Sequence, residues 1–384
     1  MSLSPREQQI LSLLRSQPTL DAAGLARTLG TSRGAVAVAL SSLTAKGEIV
    51  GRGYLLRDEP WAVVVGGAAM DIKARSLAPA RLGTSNPGTV TTSPGGVGRN
   101  IAEGLARLGS RVHLIAAVGA DIAGRDLLTR TGEAGVMLDG MLTSRHPTGS
   151  YLALLDADGE LLAAVSDLAA TDAIEVADLA RSRDLIGHAA VVVLDGNLPA
   201  AAATWVLATA AAAGARVVVE PVSVTKAGRL APLLHPGHPV FAITPNLDEL
   251  AALVGRPVAD TDADIRAAAD SLHSRGVGHV WVSRGPAGSL LCAADGSGTP
   301  FAAVPAEVMD VTGAGDAMTA GFVHALLRGA SPAEAVRQGH LAAALTVASA
   351  HAVPPGLGVA FAAALASAGA PPAVPSRPTT GATP

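Results

Sequence analysis

The run Asp310-Val311-Thr312-Gly313-Ala314-Gly315-Asp316, leading directly into Ala317-Met318-Thr319-Ala320-Gly321-Phe322, carries the residue types from which chemistry is most readily built. Small residues let the N–H groups of 313–315 converge at what reads as a helix N-terminus. Unpaired donors and partial positive charge there attract an anion. A carboxylate at the same place, Asp316, suits a site that holds a negative oxygen and also takes a proton from a hydroxyl. Phosphoryl transfer to an alcohol needs that combination of charge neutralisation and a base aimed at the attacking oxygen. The alternative reading is a tight loop followed by a favourable first-turn acid.

A second glycine cluster, Ser93-Pro94-Gly95-Gly96-Val97-Gly98-Arg99-Asn100, opens another expected helix. Glycines bring backbone close to a ligand, and Asn100 presents a donor and an acceptor suited to vicinal hydroxyls; an ordinary strand–helix turn is the competing explanation. Asp71, five residues past Gly66, lies where an apolar strand ends, and ligands of open α/β sheets collect at that carboxyl edge. Asp195 and Asn197 follow another apolar strand at the same edge, within reach of a nucleoside. In Thr244-Pro245-Asn246-Leu247-Asp248-Glu249-Leu250, Asn246 and Glu249 share one helical face. They suit contacts to Mg²⁺ through water, or equally an N-capping box. Ser283-Arg284-Gly285-Pro286-Ala287-Gly288 is a small-residue loop that suits nucleotide phosphates or a plain turn. His340, Trp205, Trp281 and Cys292 read as structural.

The elements needed to position these residues follow from composition and order. Across 384 residues, 49% are hydrophobic but only 2% aromatic, so the core is built from Ala, Val and Leu. Forty-three glycines and 25 prolines imply many turns, as in α/β enzymes. A single cysteine, Cys292, excludes an internal disulfide and a cysteine metal cluster. No stretch has the roughly 18 apolar residues of a membrane span, and Met1–Glu7 lacks a signal-peptide pattern. The expectation is a soluble cytoplasmic protein with no membrane partner.

The net charge of −4 does not mark the whole chain as a nucleic-acid binder, but charge is unevenly spread. Residues 1–57 hold seven basic side chains (Arg6, Arg15, Arg27, Arg33, Lys46, Arg52, Arg57) against Glu7, Asp21 and Glu48, a net of +4. The remainder is net −8. Within 1–57, Ser4-Pro5 starts one helix, Asp21 caps a second that stops at Gly30, and Thr31-Ser32 open a third ending near Gly47. Glu48 to Leu56 alternates about a glycine turn like a hairpin. The pattern resembles a winged helix-turn-helix domain with residues 32–46 as recognition helix. Arg33, Lys46 and Arg52 would meet DNA phosphates. Gly34-Ala35-Val36-Ala37-Val38-Ala39 offers few donors for base edges, so a protein-contacting module is the alternative.

After a linker at 58–60, Trp61–Gly67 reads as the first buried parallel strand of a second domain, 61–369. Strand-like and helix-like segments then alternate: 111–118, 189–194, a helix at 199–213, 216–219, 240–243 and 280–282. That rhythm argues for a doubly wound, mainly parallel α/β sheet. Residues 72–92 and the hairpin 149–165, turning at Asp156–Gly159, break it and read as a small β lid over a cleft. The Pro/Ala/Ser/Thr-rich tail, 370–384, is expected to be disordered.

In order and spacing, the Gly95–Asn100 signature, the Asn246/Glu249 pair and the Asp310–Asp316 signature resemble the PfkB-type, ribokinase-like carbohydrate kinases over 61–368. The resemblance implies that Asp316 is the base for the substrate's primary hydroxyl and that Gly313, Ala314 and Gly315 form the anion hole. It implies that Asp71, Gly96, Asn100 and Asp195 grip the substrate, that Asn246, Ser283, Gly285 and Gly288 meet ATP, and that Asn246 and Glu249 help hold Mg²⁺. Asp310 and Thr312 resemble positions of a monovalent-cation (K⁺) site in some members. Lid strands pair between subunits in such kinases, which implies a homodimer.

Within the family, Ser85-Asn86-Pro87-Gly88, Ser93–Ala102, Ser150–Asp156 and Val311–Met318 resemble the pseudouridine kinases. The implied reaction is ATP-dependent phosphorylation of the 5′-hydroxyl of pseudouridine. A kinase for another nucleoside or for ribose is the alternative, as is a nucleoside-sensing transcriptional regulator built on the kinase fold. Two departures stand out: Glu220-Pro221-Val222 replaces the more usual Asp-Pro-Val, and residues 1–57 are an addition to the bare kinase.

Overall fold

The protein's structure, a computed structural model, describes residues 3–16, 20–49 and 60–369. The chain divides into two compact units, residues 1–60 and 61–384. Arg52, most of the expected 48–56 hairpin, Asp58 and Glu59 of the linker, and the 370–384 tail lie outside the described residues.

In the first unit, the helices Pro5–Ser16, Ala22–Thr28 and Arg33–Ala45 close over Ile10, Leu14, Leu25, Val36 and Leu43, all buried. Asp21 caps the second helix by accepting from Gly24 N at 2.7 Å, and Ser32 caps the third by accepting from Ala35 N at 3.2 Å. Arg33 is exposed at the head of the third helix. Lys46, expected to reach a phosphate, is instead bound to Glu7, with Nζ at 2.7 and 2.8 Å from its carboxylate oxygens. Ser42 donates to the same carboxylate. That pairing ties the first helix to the end of the third, so Lys46 serves the fold.

The strands of the second unit are β1 (Ala62–Val65), β2 (Ala69–Ser76), β3 (Gly88–Gly95), β4 (Val112–Ile115), β5 (Ala117–Gly119), β6 (Leu142–Ser144), β7 (Gly149–Leu155), β8 (Leu161–Asp167), β9 (Val191–Asp195), β10 (Arg216–Glu220), β11 (Val240–Ile243), β12 (Val277–Ser283), β13 (Ser289–Ala293) and β14 (Gly298–Phe301). Eight form one sheet in the order β14-β13-β12-β11-β10-β9-β1-β4. From β12 to β4 all neighbours are parallel, and β13 and β14 add an antiparallel edge. The parallel strands are runs of buried Val, Ile, Leu and Ala because helices cover both faces. One face packs on the helices Ala200–Ala213, Leu247–Val254 and Asp262–His273, the other on Val97–Arg107, Ala314–Leu327 and Pro332–Val347.

The expected single strand 111–118 is two. Ala116 interrupts it, and β5 leaves the main sheet to pair with β6. The two stretches outside the βα rhythm form a separate four-stranded sheet, β3-β2-β7-β8, with β2 and β7 parallel and the outer pairs antiparallel. It begins at Ala69, three residues earlier than the periodicity suggested, and β8 is exposed along its whole length.

The order of the main sheet reverses at β1, between β4 and β9, and that reversal opens a crevice at the carboxyl ends of the strands. Gly66-Gly67 after β1 and Gly96 before the helix Val97–Arg107 line it. Gly96 has φ +92°, and a Cβ on it would meet the Ala68 Cα at 2.7 Å. Gly109 also has a left-handed φ, +86°, but open space around it. An alanine at either position carries the left-handed backbone penalty of about 1–2 kcal/mol, while at Gly96 it also collides with backbone. Thermal unfolding of Gly96→Ala and Gly109→Ala should therefore show a clearly larger loss for Gly96→Ala; equal losses would contradict the close approach.

Candidate active site

Two helix heads meet at this crevice. Gly313, in the left-handed conformation at φ 81°, caps the helix Ala314–Leu327, and a Cβ on it would strike the Ala352 carbonyl at 2.3 Å. Asp316 sits in the first turn of that helix. Asn100 sits in the first turn of Val97–Arg107, and its Nδ2 donates to Asp316 Oδ2 at 2.8 Å. Of the expected anion-hole donors, Ala314 N–H is already engaged by the Val311 carbonyl at 3.2 Å, which leaves the N–H groups of Gly313 and Gly315 to meet an anion.

Burial pushes the Asp316 carboxyl up to about 7, and the neighbouring Asp195 and Asp71 charges act in the same sense. The Asn100 hydrogen bond and the Arg99 charge oppose them. Such a carboxyl exchanges a proton close to neutral pH, as a general base for an alcohol requires.

Beside Asp316 lies a cleft of about 170 Å³ lined by Asn246, Glu249, Ser283 and Gly315, together with Glu220, Val222, Thr244 and Thr319. Asn246 and Glu249 form a complete capping box: Glu249 N donates to Asn246 Oδ1 at 2.9 Å and Asn246 N to Glu249 Oε2 at 3.0 Å. Burial raises the Glu249 carboxyl above its ordinary range. Ser283 N donates to the Pro245 carbonyl at 2.9 Å, so Ser283 and Asn246 stand side by side at the ends of β12 and β11.

Gly285 and Gly288 do not line this cleft. They make the turn into β13, where Gly288 adopts φ 92°, and a Cβ there would meet the Phe301 carbonyl at 2.0 Å.

Asp71 lines a larger cavity of about 670 Å³ with Lys73, Ser93 and Thr312. Burial raises its carboxyl, against the opposing Arg99 and Lys73 charges. A Cβ on Gly95 would overlap the Asp71 carboxylate, so any larger residue there would displace that side chain.

A profile describing the "pfkB family carbohydrate kinase" matches residues 61–355. The chain belongs to that family. The PfkB chain is 36% identical over 349 residues to the uncharacterized sugar kinase YeiI of Escherichia coli K12, covering 90% of this chain and 94% of the relative. That match is longer than the kinase unit alone and so reaches into residues 1–60. It is also 36% identical over 283 residues to the pseudouridine kinase of the same organism, covering 73% of this chain and 88% of the relative. Among solved structures, Arabidopsis thaliana ribokinase complexed with ribose and ATP aligns with a TM-score of 0.68 at 26% identity, over 79% of this chain and 98% of that one. The ribokinase-like α/β fold follows.

Against that family frame, three residues stand in roles the sequence did not indicate. Asp195, expected to touch substrate, is fully buried and accepts from Gly67 N and Gly98 N, both at 2.8 Å, so it braces the glycine turns. Asp310, expected beside a monovalent cation with Thr312, already holds the Lys73 ammonium at 2.8 Å on Oδ2 and the Thr312 N–H on Oδ1. Burial raises this carboxyl, but the Lys73 and Thr312 hydrogen bonds and the Lys73 charge together outweigh it and hold Asp310 below the usual carboxylate range. The pair therefore does not fit a vacant K⁺ site. Glu220, the departure from Asp-Pro-Val, has partners the sequence did not reveal. It is buried and accepts from Thr244 Oγ1 at 2.7 Å and Thr319 Oγ1 at 3.0 Å, which ties β10 and β11 to the helix of Asp316.

Sequence reasoning missed Thr244, Thr319 and Lys73, and it missed Val222, a β-branched residue with φ 74° on the cleft wall. Strain of this kind persists where neighbours over-determine it. Here Val222 N also donates to Glu220 Oε1 at 3.3 Å.

Burial pushes the Glu220 carboxyl up to about 8, with the Glu249 and Asp316 charges contributing and the Thr244 bond opposing. A carboxyl raised above its unfolded value stabilises the fold most below that unfolded value, and the contribution fades as pH rises through the folded one. Glu220→Gln removes that titration. The difference in melting temperature between Glu220→Gln and wild type should shift in favour of the variant between pH 5 and pH 9. A pH-independent difference would show that the folded protein does not raise the Glu220 carboxyl above its unfolded value.

Proposed function

We propose that this kinase transfers the γ-phosphoryl group of ATP to the 5′-hydroxyl of pseudouridine. The observation that carries the reading is the Asn100–Asp316 contact at the head of two helices, one of which presents an anion-binding N-terminus. In this reading Asp316 takes the hydroxyl proton as the oxygen attacks, and the Gly313 and Gly315 N–H groups meet the negative charge on the transferring phosphoryl. Asp71 and Asn100, with Gly96 between them, grip the sugar hydroxyls. Ser283 and Asn246 face the nucleotide, with Gly285 and Gly288 shaping the loop around it.

Among the described residues no three His, Cys, Asp or Glu side chains gather into a cage for a metal. Asn246 and Glu249 fit Mg²⁺ held through water and shared with the nucleotide phosphates, the usual mode for this ion. When bound, the ion supplies charge neutralisation to those phosphates. The pseudouridine kinase relative supports the nucleoside, while YeiI at the same identity leaves other sugars in competition.

The lid supports a homodimer. Its edge strand β8 is exposed at every position, with Leu161, Leu162 and Val165 open to solvent, and an unpaired apolar edge is a template for a second copy. The absence among the described residues of any helix long and apolar enough to cross a membrane is compatible with a cytoplasmic location.

Turnover of pseudouridine, uridine and ribose in a coupled ATP assay tests the substrate, with pseudouridine expected to give the highest kcat/KM. A preference for ribose rejects it. In the same assay Asp316→Asn should lose about 10³-fold or more in kcat. The wild-type kcat/KM should rise with pH through about 7, where Asp316 loses its proton.

We further propose that residues 1–57 are a winged helix-turn-helix module binding DNA near the protein's own gene, through Arg33 and Arg52. The basic balance of that segment and its three helices favour this reading. A duplex from the region upstream of the gene should be retarded in a mobility-shift assay more strongly than a scrambled duplex, and Arg33→Ala should weaken that binding. Sequence-independent binding abolished by moderate salt would reject it.

A further inference from the structure

Arg99 lies inside the first glycine signature, yet no role above is assigned to it. It is among the most deeply buried side chains, 2% exposed, and its guanidinium is fully directed. Nε donates to the Gly95 carbonyl at 3.0 Å, and Nη2 to the Pro94 carbonyl at 3.0 Å. Nη1 donates to the Glu103 carboxylate, and Nη2 also to Asn100 Oδ1. Glu103 is in turn held by Arg107 Nε at 2.7 Å. The fork therefore has a fixed position before any ligand arrives.

That position decides which way the Asn100 amide faces. With Oδ1 taken by the guanidinium, Nδ2 is the group presented to Asp316 Oδ2, at 2.8 Å. The flipped amide would set its NH₂ against a guanidinium, donor on donor, and its oxygen against a carboxylate, acceptor on acceptor. One orientation is attractive at both ends and the other repulsive at both.

We propose that Arg99 is a positioning residue: by locking the Asn100 amide it ties down one oxygen of Asp316 and leaves the other oriented toward the substrate hydroxyl. This rests on the reading of Asp316 as the base. The charged groups around Asp316 are Arg99 from Val97–Arg107, Asp71 from β2, Asp195 at the end of β9 and Glu220 at the end of β10. In that set of carboxylates Arg99 supplies the positive charge.

A double-mutant cycle tests the proposal, using whichever of pseudouridine, uridine or ribose the wild type phosphorylates. Arg99→Met should lower kcat by about 10–100-fold, the scale of a misplaced reacting group, with a much smaller change in KM. Because Arg99 acts through Asn100, the double variant Arg99→Met/Asn100→Ala should have the kcat of Asn100→Ala alone. Arg99→Lys keeps the charge without the fork and should fall between Arg99→Met and wild type; it replaces Arg99→Met in the cycle if that variant does not fold. Losses that multiply in the double variant, or an unchanged kcat in Arg99→Met, overturn the proposal. An active Asp316→Asn would instead overturn the assignment of the base, so the two failures are distinguishable.

Discussion

The carboxylate of Asp195 is the interaction on which the rest of the kinase unit is arranged. It lies at the end of β9 with no solvent exposure, and it accepts hydrogen bonds from the backbone of two separate glycine turns, at Gly67 and Gly98. Asn197 closes the shell, with N at 2.9 Å and Nδ2 at 3.1 Å. A buried carboxyl is tolerated only where such donors replace water; burial still raises its proton affinity, and the bonds from Gly67 and Asn197 pull it back. The geometry leaves no room for side chains nearby: a Cβ on Gly66 would overlap the carboxylate at 2.3 Å. One acid therefore accounts for glycines in two distant stretches of sequence, and it fixes where the helix Val97–Arg107 begins.

Once that helix start is fixed, the chemistry follows by contact. Asn100, in its first turn, faces Asp316 in the first turn of Ala314–Leu327. Glu220 binds the second helix from beneath through Thr319. Four carboxyls, Asp71, Glu220, Glu249 and Asp316, end up raised by burial around the two cavities. Such an accumulation costs stability in the empty protein and is the kind of strain that functional sites carry. A ligand that arrives with a divalent cation relieves it, whereas a bare anion would aggravate it.

How much of this was legible in the sequence depended on whether the signal was local. The glycine signatures, the apolar parallel strands, the Asp21 and Ser32 caps and the Asn246/Glu249 box are all written within a few residues, where backbone conformation and capping leave recognisable patterns. Asp316 and Asn100 were each picked out separately, although they stand 216 positions apart. Partnerships across the chain left no such trace. Lys73 meets Asp310 across 237 positions, Glu220 meets Thr319 across 99, and Asp195 meets Gly67 across 128. Each of those acids was noticed without its distant partner, because a carboxylate at a strand end looks the same in sequence whether it faces substrate, an ammonium or a buried turn. The break at Ala116 was hidden for a similar reason, since β4 and β5 are both buried and apolar.

The scarcity of aromatic residues belongs to the same argument. For Asn100 to reach Asp316, the helices carrying them must run close together behind the site. They cross at Gly104, where a Cβ would lie only 2.9 Å from that of Ala320. The next layer is equally tight: a Cβ on Gly321 would meet the Gln338 carbonyl at 2.7 Å, and one on Gly339 the ring of Trp281 at 2.5 Å. Interiors packed at this density transmit displacement rather than absorb it. A larger side chain at any of the three would move a helix head and lengthen the bond from amide to carboxylate. The Ala- and Gly-rich interior, which from composition alone looks like a weak core, is what brings the two helix heads within hydrogen-bonding distance.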